Sequence, residues 1–461
     1  MESLGGAFKL GGTMLIIVVF ACAYLCRIYF SSIRKSTCPE KSEIVIGFFH
    51  PHCFGGGGGE RVLWKAVKAL GDLRDAGIKI KVVIYTIDGK RDSYKKEIFH
   101  HVKERFATEF SQSLPIMFVH IGNGPKIPKK MSLIAQSVET VKLAWYALRQ
   151  LNPHIYIDTT GCAFTFLVAK LAGCKIMCYV HYPTISTDML RLVWERRPSY
   201  NNSSIISKNP LTSYLKLVYY IIFAIAYGFI GSLSDLVMVN SSWTHGHIYF
   251  LWVFARRRTR IVYPPCDTKS LQNLSLTNRE HKILSIGQFR PEKNHTLQVK
   301  AFAKMMADHP ELSKKGDVEL LLVGGCRDEG DESRVNELKG LASSLGVSKS
   351  VHFVLNQPYP VLKQIFGQAS VGIHTMWNEH FGIGVVEMMA AGLITIAHNS
   401  GGPKSDILLP YGKDKLKTGY LASSEEEYAD AMYNALRDGP NCDENIAIRK
   451  RARKSAQRFS D

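Results

Sequence analysis

The chain has 461 residues, enough for two or three domains, and carries a formal net charge of +18 from 58 basic and 40 acidic residues. Because 46 % of the residues are apolar and 10 % are aromatic, large cores can form and a wholly disordered protein is excluded. Ten cysteines without a Cys-x-x-Cys pair indicate neither a disulfide scaffold nor a zinc module.

The first element in chain order is an apolar segment near the N-terminus. Residues 10–26 carry no charge, and extension to Phe30 gives about 21 residues, or about 31 Å as a helix. This pattern predicts a membrane anchor with a linker over residues 1–42; a cleaved signal peptide and a buried helix are the alternatives. The basic residues follow the segment, so the positive-inside rule places the body of the protein in the cytosol. These basic residues are Arg27, Arg34, Lys35 and Lys41.

A second uncharged segment, residues 217–233, contains three tyrosines. It is long enough to enter a membrane, but a full crossing would separate the two halves of the body. We expect a helix that dips into one leaflet, with an ordinary core helix as the alternative.

From residue 43 onward, short apolar strands alternate with amphipathic helices, and the pattern restarts after a predicted rigid junction at 261–265. The predicted strands are 43–49, 79–86, 116–121, 154–158, 175–181 and 235–240, then 282–286, 318–323, 351–355, 371–374, 393–397 and 419–421. Such alternation predicts an α/β protein with two doubly wound domains, 43–262 and 263–461, the second ending in a basic tail. We expect the ligand site in a cleft where the carboxyl ends of the two sets of strands face each other.

Three motifs follow predicted strands. The first is the run Gly55 to Gly59, which precedes a predicted helix from about Glu60 to Leu73. Backbone amides at the helix N-terminus could approach a diphosphate; a merely flexible loop is the alternative.

The second motif holds Arg290 and Lys293, which lie three residues apart at a loop-to-helix entry and could clamp a phosphate pair.

The third motif runs from Glu379 to Glu387 and contains Phe381, Gly382 and Gly384. We expect Glu379 in a loop and Glu387 in the first helical turns. Phosphate would lie at the amides of 382–384 and sugar hydroxyls at both glutamates, an arrangement that suits a sugar nucleotide.

The chain resembles the retaining GT-B glycosyltransferases of the glycosyltransferase 4 type. The features that carry the resemblance are two doubly wound halves, a glycine-rich loop, Gly-x-x-Arg-x-x-Lys and Glu-x7-Glu. The resemblance covers the chain from residue 43 onward. Further motifs resemble the α-1,2-mannosyltransferases of the dolichol pathway within that group. These motifs lie at 51–64, 179–183, 240–244, 263–266 and 377–382.

The resemblance implies a GT-B fold and a transferase that adds the fourth and fifth mannoses from GDP-mannose to a dolichol-diphosphate oligosaccharide. The reaction would take place on the cytosolic face of the endoplasmic reticulum and serve protein N-glycosylation. The implied partners are that membrane and other mannosyltransferases of the pathway. A further helix beyond residue 461, returning to the first half, is also expected.

The resemblance also implies roles for individual residues. Arg290 and Lys293 would hold the donor diphosphate and stabilise the leaving group. Glu379 would contact the mannose hydroxyls, and Glu387 would hold the ribose. His181 would lie near the transferred sugar, although a core histidine is the alternative. Gly57 and Gly58 would line the cleft.

The sequence has no Asp-x-Asp motif, so we expect metal-independent transfer without a cofactor, with positive charge from Arg290, Lys293 and helix N-termini. Retention would then follow from attack on the same face that the leaving group occupies. A UDP-sugar-dependent GT-B transferase acting on another membrane lipid is the alternative, as is a catalytically silent scaffold.

A charge of +18 could also indicate a nucleic-acid partner. The four arginines within residues 256–260 point to the same alternative. Because no RNP-like, zinc-finger or helix-turn-helix pattern appears, we expect no nucleic-acid partner. A membrane-facing enzyme explains the charge as well, and we therefore expect the basic residues mainly on the face that carries 217–233.

Overall fold

The computed structural model describes residues 2–40, 42–89, 94–106, 108–122, 124, 132–196, 208–312 and 318–460. The chain divides into two compact units. Unit 1 comprises Met1–Asn240 with Thr244–Val262, and unit 2 comprises Ser241–Trp243 with Tyr263–Asp461. Each unit is built on one parallel sheet.

Unit 1 contains a seven-stranded sheet in the order β3-β2-β1-β4-β5-β6-β7. Its strands are β1 Ile44–Phe49, β2 Ile80–Thr86, β3 Ile116–His120, β4 Ile155–Asp158, β5 Lys175–Val180, β6 Leu236–Val239 and β7 Thr259–Ile261. Its helices are α1 Glu2–Thr37, α2 Gly58–Asp75, α3 Tyr94–Phe106, α4 Leu133–Gln150, α5 Phe166–Leu171, α6 Thr187–Trp194, α7 Pro210–Gly231 and α8 Ser242–Leu251, the first residues of which group with unit 2.

Strands β1 and β2 are rich in Val and Ile and buried along most of their length, as expected of central strands in a parallel sheet covered on both faces. Strand order reverses between β1 and β4, where Phe49 pairs with Asp158 at the carboxyl ends. A crevice outside such a switch point is where ligands bind in sheets of this kind.

Unit 2 contains a six-stranded sheet in the order β10-β9-β8-β11-β12-β13, with its switch point between β8 and β11. Its strands are β8 Glu280–Ile286, β9 Glu319–Gly324, β10 Val351–Leu355, β11 Ala369–His374, β12 Ile394–His398 and β13 Gly419–Ala422. Its helices are α9 Thr268–Leu271, α10 His295–Asp308, α11 Glu329–Ser344, α12 Tyr359–Gln368, α13 Ile383–Ala391, α14 Glu425–Leu436 and α15 Asp443–Ala456.

Among the described residues, two helices are long and apolar enough to cross a membrane: Ile16–Thr37, within α1, and Pro210–Gly231, which is α7. The C-terminal part of α1 is attached to unit 1. Phe30 is fully buried with its ring centroid 4.9 Å from that of Trp145, and Arg34 donates to the carbonyl of Ala172 at 3.1 Å. Lys41 lies outside the described residues.

Helix α7 has one buried face and one exposed apolar face. Tyr220, Phe223 and Tyr227 pack into the core of unit 1, whereas Ile222 and Ile225 are 59 % and 68 % exposed. An ordinary core helix would not leave a full apolar side uncovered, so this alternative does not describe α7. The dip into a leaflet stays a prediction.

The predicted junction at 261–265 contains a boundary between the units, which lies between Val262 and Tyr263, although its first residue, Ile261, belongs to β7 and pairs with β6. One detail of the sequence analysis is wrong. The predicted basic tail is helix α15, which packs into unit 2 and buries Arg449 completely. The position of its basic residues explains the error, since several of them satisfy backbone carbonyls inside the unit instead of facing solvent.

Candidate active site

Three side chains meet at the carboxyl ends of β8 and β11 in unit 2. Lys293 Nζ lies 2.5 Å from Glu379 Oε2, and His374 Nε2 lies 3.0 Å from the same oxygen. Glu379 is 14 % exposed and His374 is 5 % exposed. The structure therefore brings together two of the predicted residues, Lys293 and Glu379, and adds a histidine that the sequence analysis did not identify.

The position of Lys293 is fixed by the backbone around it. Lys293 ends a short turn, Pro291–Lys293, and Asn294 follows with a left-handed φ of 50° before α10 begins. The hydroxyl of Thr375, just after β11, donates to the carbonyls of Lys293 and Asn294 at 2.8 and 3.0 Å. The lysine-bearing turn is thus tied to the end of the strand that supplies His374.

Burial alone would raise the pKa of the Glu379 carboxyl, but the Lys293 ammonium and the His374 hydrogen bond hold that pKa well below its usual value. Burial lowers the pKa of His374, an effect that Glu379 opposes only in part. Glu379 is therefore ionised at neutral pH beside a neutral imidazole that can donate through Nε2.

Arg290 is placed differently from Lys293. Its side chain is 47 % exposed, and its nearest described acid is Glu292, 4.0 Å away. The predicted clamp of Arg290 and Lys293 on one phosphate pair stays a prediction.

Helix α13 begins where the sequence analysis expected it. Glu379 lies in the preceding loop and Glu387 in the first two turns, as expected. Gly382 caps the helix with φ +111°, a conformation that favours glycine. A Cβ at Gly384 would lie 3.3 Å from Ile286 at the end of β8, so the helix N-terminus packs closely on the strand end. Phe381 is buried beneath this turn.

The glycine-rich loop of unit 1 holds a carboxylate. Glu60 Oε2 accepts a hydrogen bond from the Gly57 amide at 2.9 Å, which is the glutamate half of a capping box at the N-terminus of α2; Gly57 has no side chain to supply the other half. A Cβ at Gly55 or Gly57 would lie 2.6 or 2.8 Å from this carboxylate, so these glycines make room for Glu60. A diphosphate at this helix N-terminus would meet the negative charge of Glu60, and the phosphate role expected for the loop is not supported by this geometry.

His181 follows β5 in unit 1 and lies beside the same loop. A Cβ at Gly59 would lie 3.8 Å from His181 Nε2, and the Asn240 amide donates to the His181 carbonyl at 2.9 Å. The imidazole is half-buried, with its centroid 4.7 Å from the ring of Tyr179. This places His181 and the 55–59 loop at one edge of the unit 1 sheet.

Two further polar residues lie at this edge and were missed. His50 Nδ1 is 2.7 Å from Thr159 Oγ1, and Asp158 Oδ1 accepts from the amide and hydroxyl of Thr160 at 3.0 and 2.8 Å. Asp158 Oδ2 is buried and has no hydrogen-bond partner among the described residues, and burial raises the pKa of this carboxyl to about 6. The sequence could have identified both residues, because Asp158 ends β4 and His50 follows β1, the two strands that meet at the switch point.

The described part of the chain contains no group of three or more His, Cys, Asp or Glu side chains that could hold a metal ion. The meeting of the unit 1 and unit 2 residues across a cleft stays a prediction.

Two family descriptions match the chain. Residues 43–252 match "ALG11 mannosyltransferase N-terminus", and residues 267–456 match "Glycosyl transferases group 1". Proteins named "GDP-Man:Man(3)GlcNAc(2)-PP-Dol alpha-1,2-mannosyltransferase" are similar over nearly the whole chain. The relative from Xenopus laevis is 43 % identical over 98 % of this chain and 92 % of its own length. The relative from Homo sapiens is 45 % identical over 91 % of this chain and 85 % of its own.

Solved structures with the same fold include sucrose-phosphate synthase from Thermosynechococcus elongatus. It has a TM-score of 0.61 and 18 % identity over 91 % of this chain and 95 % of that one. Anabaena HepE in complex with UDP and glucose has a TM-score of 0.54 and 17 % identity over 90 % and 95 % of the two chains. These likenesses, with the two parallel sheets, confirm the predicted GT-B fold class.

Proposed function

The chain belongs to the family of GDP-Man:Man(3)GlcNAc(2)-PP-Dol alpha-1,2-mannosyltransferases, and from that membership we propose that it transfers mannose from GDP-mannose to a dolichol-diphosphate oligosaccharide. It adds the fourth and fifth mannoses, in α-1,2 linkage, for protein N-glycosylation. The observation that carries this proposal is the match of near-complete relatives of that name, together with Lys293 and Glu379 in contact at the carboxyl edge of the unit 2 sheet.

The donor occupies the unit 2 site in this proposal. Its diphosphate lies at the N-terminus of α13, beside Phe381 to Gly384, where helix amides and a positive dipole end attract anions. Lys293 and Arg290 supply the remaining positive charge. Glu379 accepts hydrogen bonds from mannose hydroxyls, and Glu387, farther along α13, holds the ribose.

The acceptor approaches from unit 1. His181 and the loop with Gly57 and Gly58 face the transferred sugar and the acceptor hydroxyls. The capping carboxylate of Glu60 favours hydroxyl groups over phosphate at this loop, because hydroxyls can donate to it. The glycans of the acceptor, and not its diphosphate, are therefore the part that lies here.

We propose retention of configuration without a metal ion. The acceptor hydroxyl attacks the anomeric carbon of mannose on the face from which GDP departs. The bond from carbon to diphosphate oxygen breaks, and the hydroxyl proton passes to the departing phosphate oxygen. Lys293, Arg290 and the α13 N-terminus stabilise the negative charge that develops there.

The enzyme is held at the endoplasmic reticulum membrane by α1 as a single-pass anchor, with its body on the cytosolic side. The exposed face of α7 supports a second membrane contact. Ile225 and Phe229 line a groove of about 410 Å³ together with Phe254, and Phe254 also borders a groove lined by Arg256 and Arg257. An apolar face beside arginines suits a bilayer with anionic head groups.

Product size tests the proposed function. Membranes containing the protein are incubated with labelled GDP-mannose and trimannosyl-chitobiosyl-diphosphodolichol. We expect products one and two hexoses larger, sensitive to an α-1,2-specific mannosidase. Competition by unlabelled GDP-mannose but not by UDP-sugars separates this function from a UDP-sugar transferase, and the absence of any lengthened lipid-linked product with an active control preparation would overturn it.

A further inference from the structure

His374 lies next to the carboxylate that contacts the donor sugar in the proposed function. We propose that His374 is the positioning residue for Glu379, which it holds in place while Lys293 binds the donor diphosphate. This inference rests on the proposed function and adds a residue whose role neither the motifs nor the family resemblance assigns.

Both donors converge on one oxygen of the carboxylate. Lys293 Nζ and His374 Nε2 lie 2.5 and 3.0 Å from Glu379 Oε2. Glu379 Oε1 makes no hydrogen bond to any residue that the structure describes. With both donors on Oε2, Oε1 is left to accept from a sugar hydroxyl in the proposed function.

The two donors respond differently to the arrival of a nucleotide sugar. A diphosphate carries two negative charges and competes with Glu379 for the Lys293 ammonium. When Lys293 turns to the diphosphate, Glu379 loses its cation in a site where only a small part of its side chain is exposed. A buried carboxylate without a donor is costly and would tend to rotate or take up a proton.

His374 does not leave with Lys293, since a neutral imidazole is not drawn to phosphate as an ammonium is. With a proton on Nε2 it donates to Oε2 and keeps Glu379 ionised without adding charge. It also keeps Oε1 oriented at the sugar. Lysine can thus change partners during the donor-binding step without displacing the carboxylate.

The backbone of His374 is anchored independently of Glu379. It is the last residue of β11, a strand that is buried along its whole length. The hydroxyl of Tyr428 donates to the His374 carbonyl at 2.9 Å. A rigid support of this kind is what a positioning residue requires.

The experiment compares His374→Ala, His374→Gln and His374→Asn in the full-length, membrane-inserted enzyme. Gln carries an amide nitrogen about as far from the backbone as imidazole Nε2, whereas the amide of Asn is too short. We expect His374→Ala and His374→Asn to lower kcat about 10- to 100-fold with GDP-mannose, and His374→Gln to recover most of that loss. The Kd for GDP, which has no sugar, should stay within about twofold of the wild-type value.

Ser370→Ala is the matched control, because it removes a buried side-chain hydrogen bond near the amino end of the same strand without touching His374 or Glu379. It should keep its kcat while losing some thermal stability. If His374→Ala does not fold, the kcat values of His374→Gln and His374→Asn still decide whether His374 positions Glu379.

Unchanged kcat in both His374→Ala and His374→Asn would overturn the positioning role. Equal losses in Gln and Asn, or a matching loss in Ser370→Ala, would overturn it as well. A wild-type enzyme that fails to use GDP-mannose would instead contradict the proposed function itself.

Discussion

At the scale of single residues, two buried carboxyl groups have pKa values shifted in opposite directions. Lys293 and His374 outweigh the effect of burial on Glu379, so its pKa falls. Asp158 has only hydrogen bonds and a more distant histidine to offset burial, so its pKa rises to about 6. The presence or absence of an adjacent ammonium decides the direction.

Replacement of Glu379 by Gln keeps the shape of the side chain and removes its charge. We expect mannose transfer to slow by at least about 100-fold, because the carboxylate that contacts the sugar in the proposed function is lost. The melting temperature should fall by several degrees, because Gln leaves the Lys293 ammonium without its carboxylate partner. Steady-state transfer rates and thermal unfolding in detergent measure both, and normal turnover would exclude Glu379 from the site.

Asp158→Asn tests the raised pKa. The folded state binds a proton to Asp158 more tightly than the unfolded state does, so wild-type stability falls as pH rises from about 4 to about 6. Asn has no such proton and keeps an oxygen that can accept from Thr160. Above pH 6 we expect the variant to gain up to about 3 kcal/mol over the wild-type protein, and below pH 4 the gain should vanish. Unfolding by denaturant at pH 7.5 and 4 measures the difference; a gain independent of pH would contradict the assignment.

Sequence reasoning found Lys293 and Glu379 because both follow strands and carry charge at a recognisable spacing. It missed His374 because a single histidine at a strand end has no pattern to identify it. The glycine-rich loop gives a second example. Its glycines predict a close approach of the backbone to a ligand, and the contact that Gly55 and Gly57 make room for in this structure is with the side chain of Glu60. The expected ligand contacts of Gly57 and Gly58 stay a prediction.

At the scale of elements, α15 closes the C-terminal end of the helix that carries Glu387. Arg453 donates to the carbonyls of Ala390 and Ala391 at 2.9 and 3.0 Å, and Arg279 also donates to Ala391. Cationic side chains at a helix C-terminus complement its negative dipole end. The arrangement could not be predicted from sequence, because exposed and buried arginines look alike in a basic segment.

Arg449→Ala should destabilise the protein by roughly 2–4 kcal/mol. Arg449 is fully buried and donates to the carbonyls of Leu276 and Ser370, so the substitution leaves a cavity and buried acceptors without their donor. Its neighbour Lys450 is exposed, and Lys450→Ala is the control that changes the same net charge. Thermal unfolding of the two variants makes the comparison; equal effects would show that charge and not burial matters.

At the scale of the whole molecule, the charge of +18 is divided between different tasks. Three arginines donate to backbone carbonyls inside unit 2: Arg279, Arg449 and Arg453. A fourth, Arg34, donates to a carbonyl of unit 1 and attaches α1 there. These arginines are not available to a membrane surface. Arg258 lies beside the 217–233 segment, since it donates to the Ser232 carbonyl at 3.0 Å. The expectation that the basic residues lie mainly on the face that carries 217–233 stays a prediction, and the buried Arg449 does not contribute to any face.

A paired substitution tests the membrane contact of α7. Ile222→Ser with Ile225→Ser alters two exposed side chains, so stability should change by less than about 0.5 kcal/mol. We expect the KM for the lipid-linked acceptor to rise several-fold, because loss of apolar area loosens the enzyme from the bilayer where the acceptor lies. The KM for GDP-mannose should not change. Val138→Ser, an exposed apolar position on α4, is the control, and an equal rise there would contradict a special role for α7.

The contacts of α15 also bear on the order in which the protein folds during synthesis. Arg449 and Arg453 bind carbonyls 173 and 179 residues earlier in the chain. The sheet of unit 1 is complete once Ile261 has left the ribosome, whereas unit 2 exposes unsatisfied carbonyls until residues 443–456 emerge. Unit 1 can therefore fold while unit 2 is still being translated. During that interval the nascent chain lacks a complete site around Lys293 and Glu379, so under the proposed function it could not yet consume GDP-mannose.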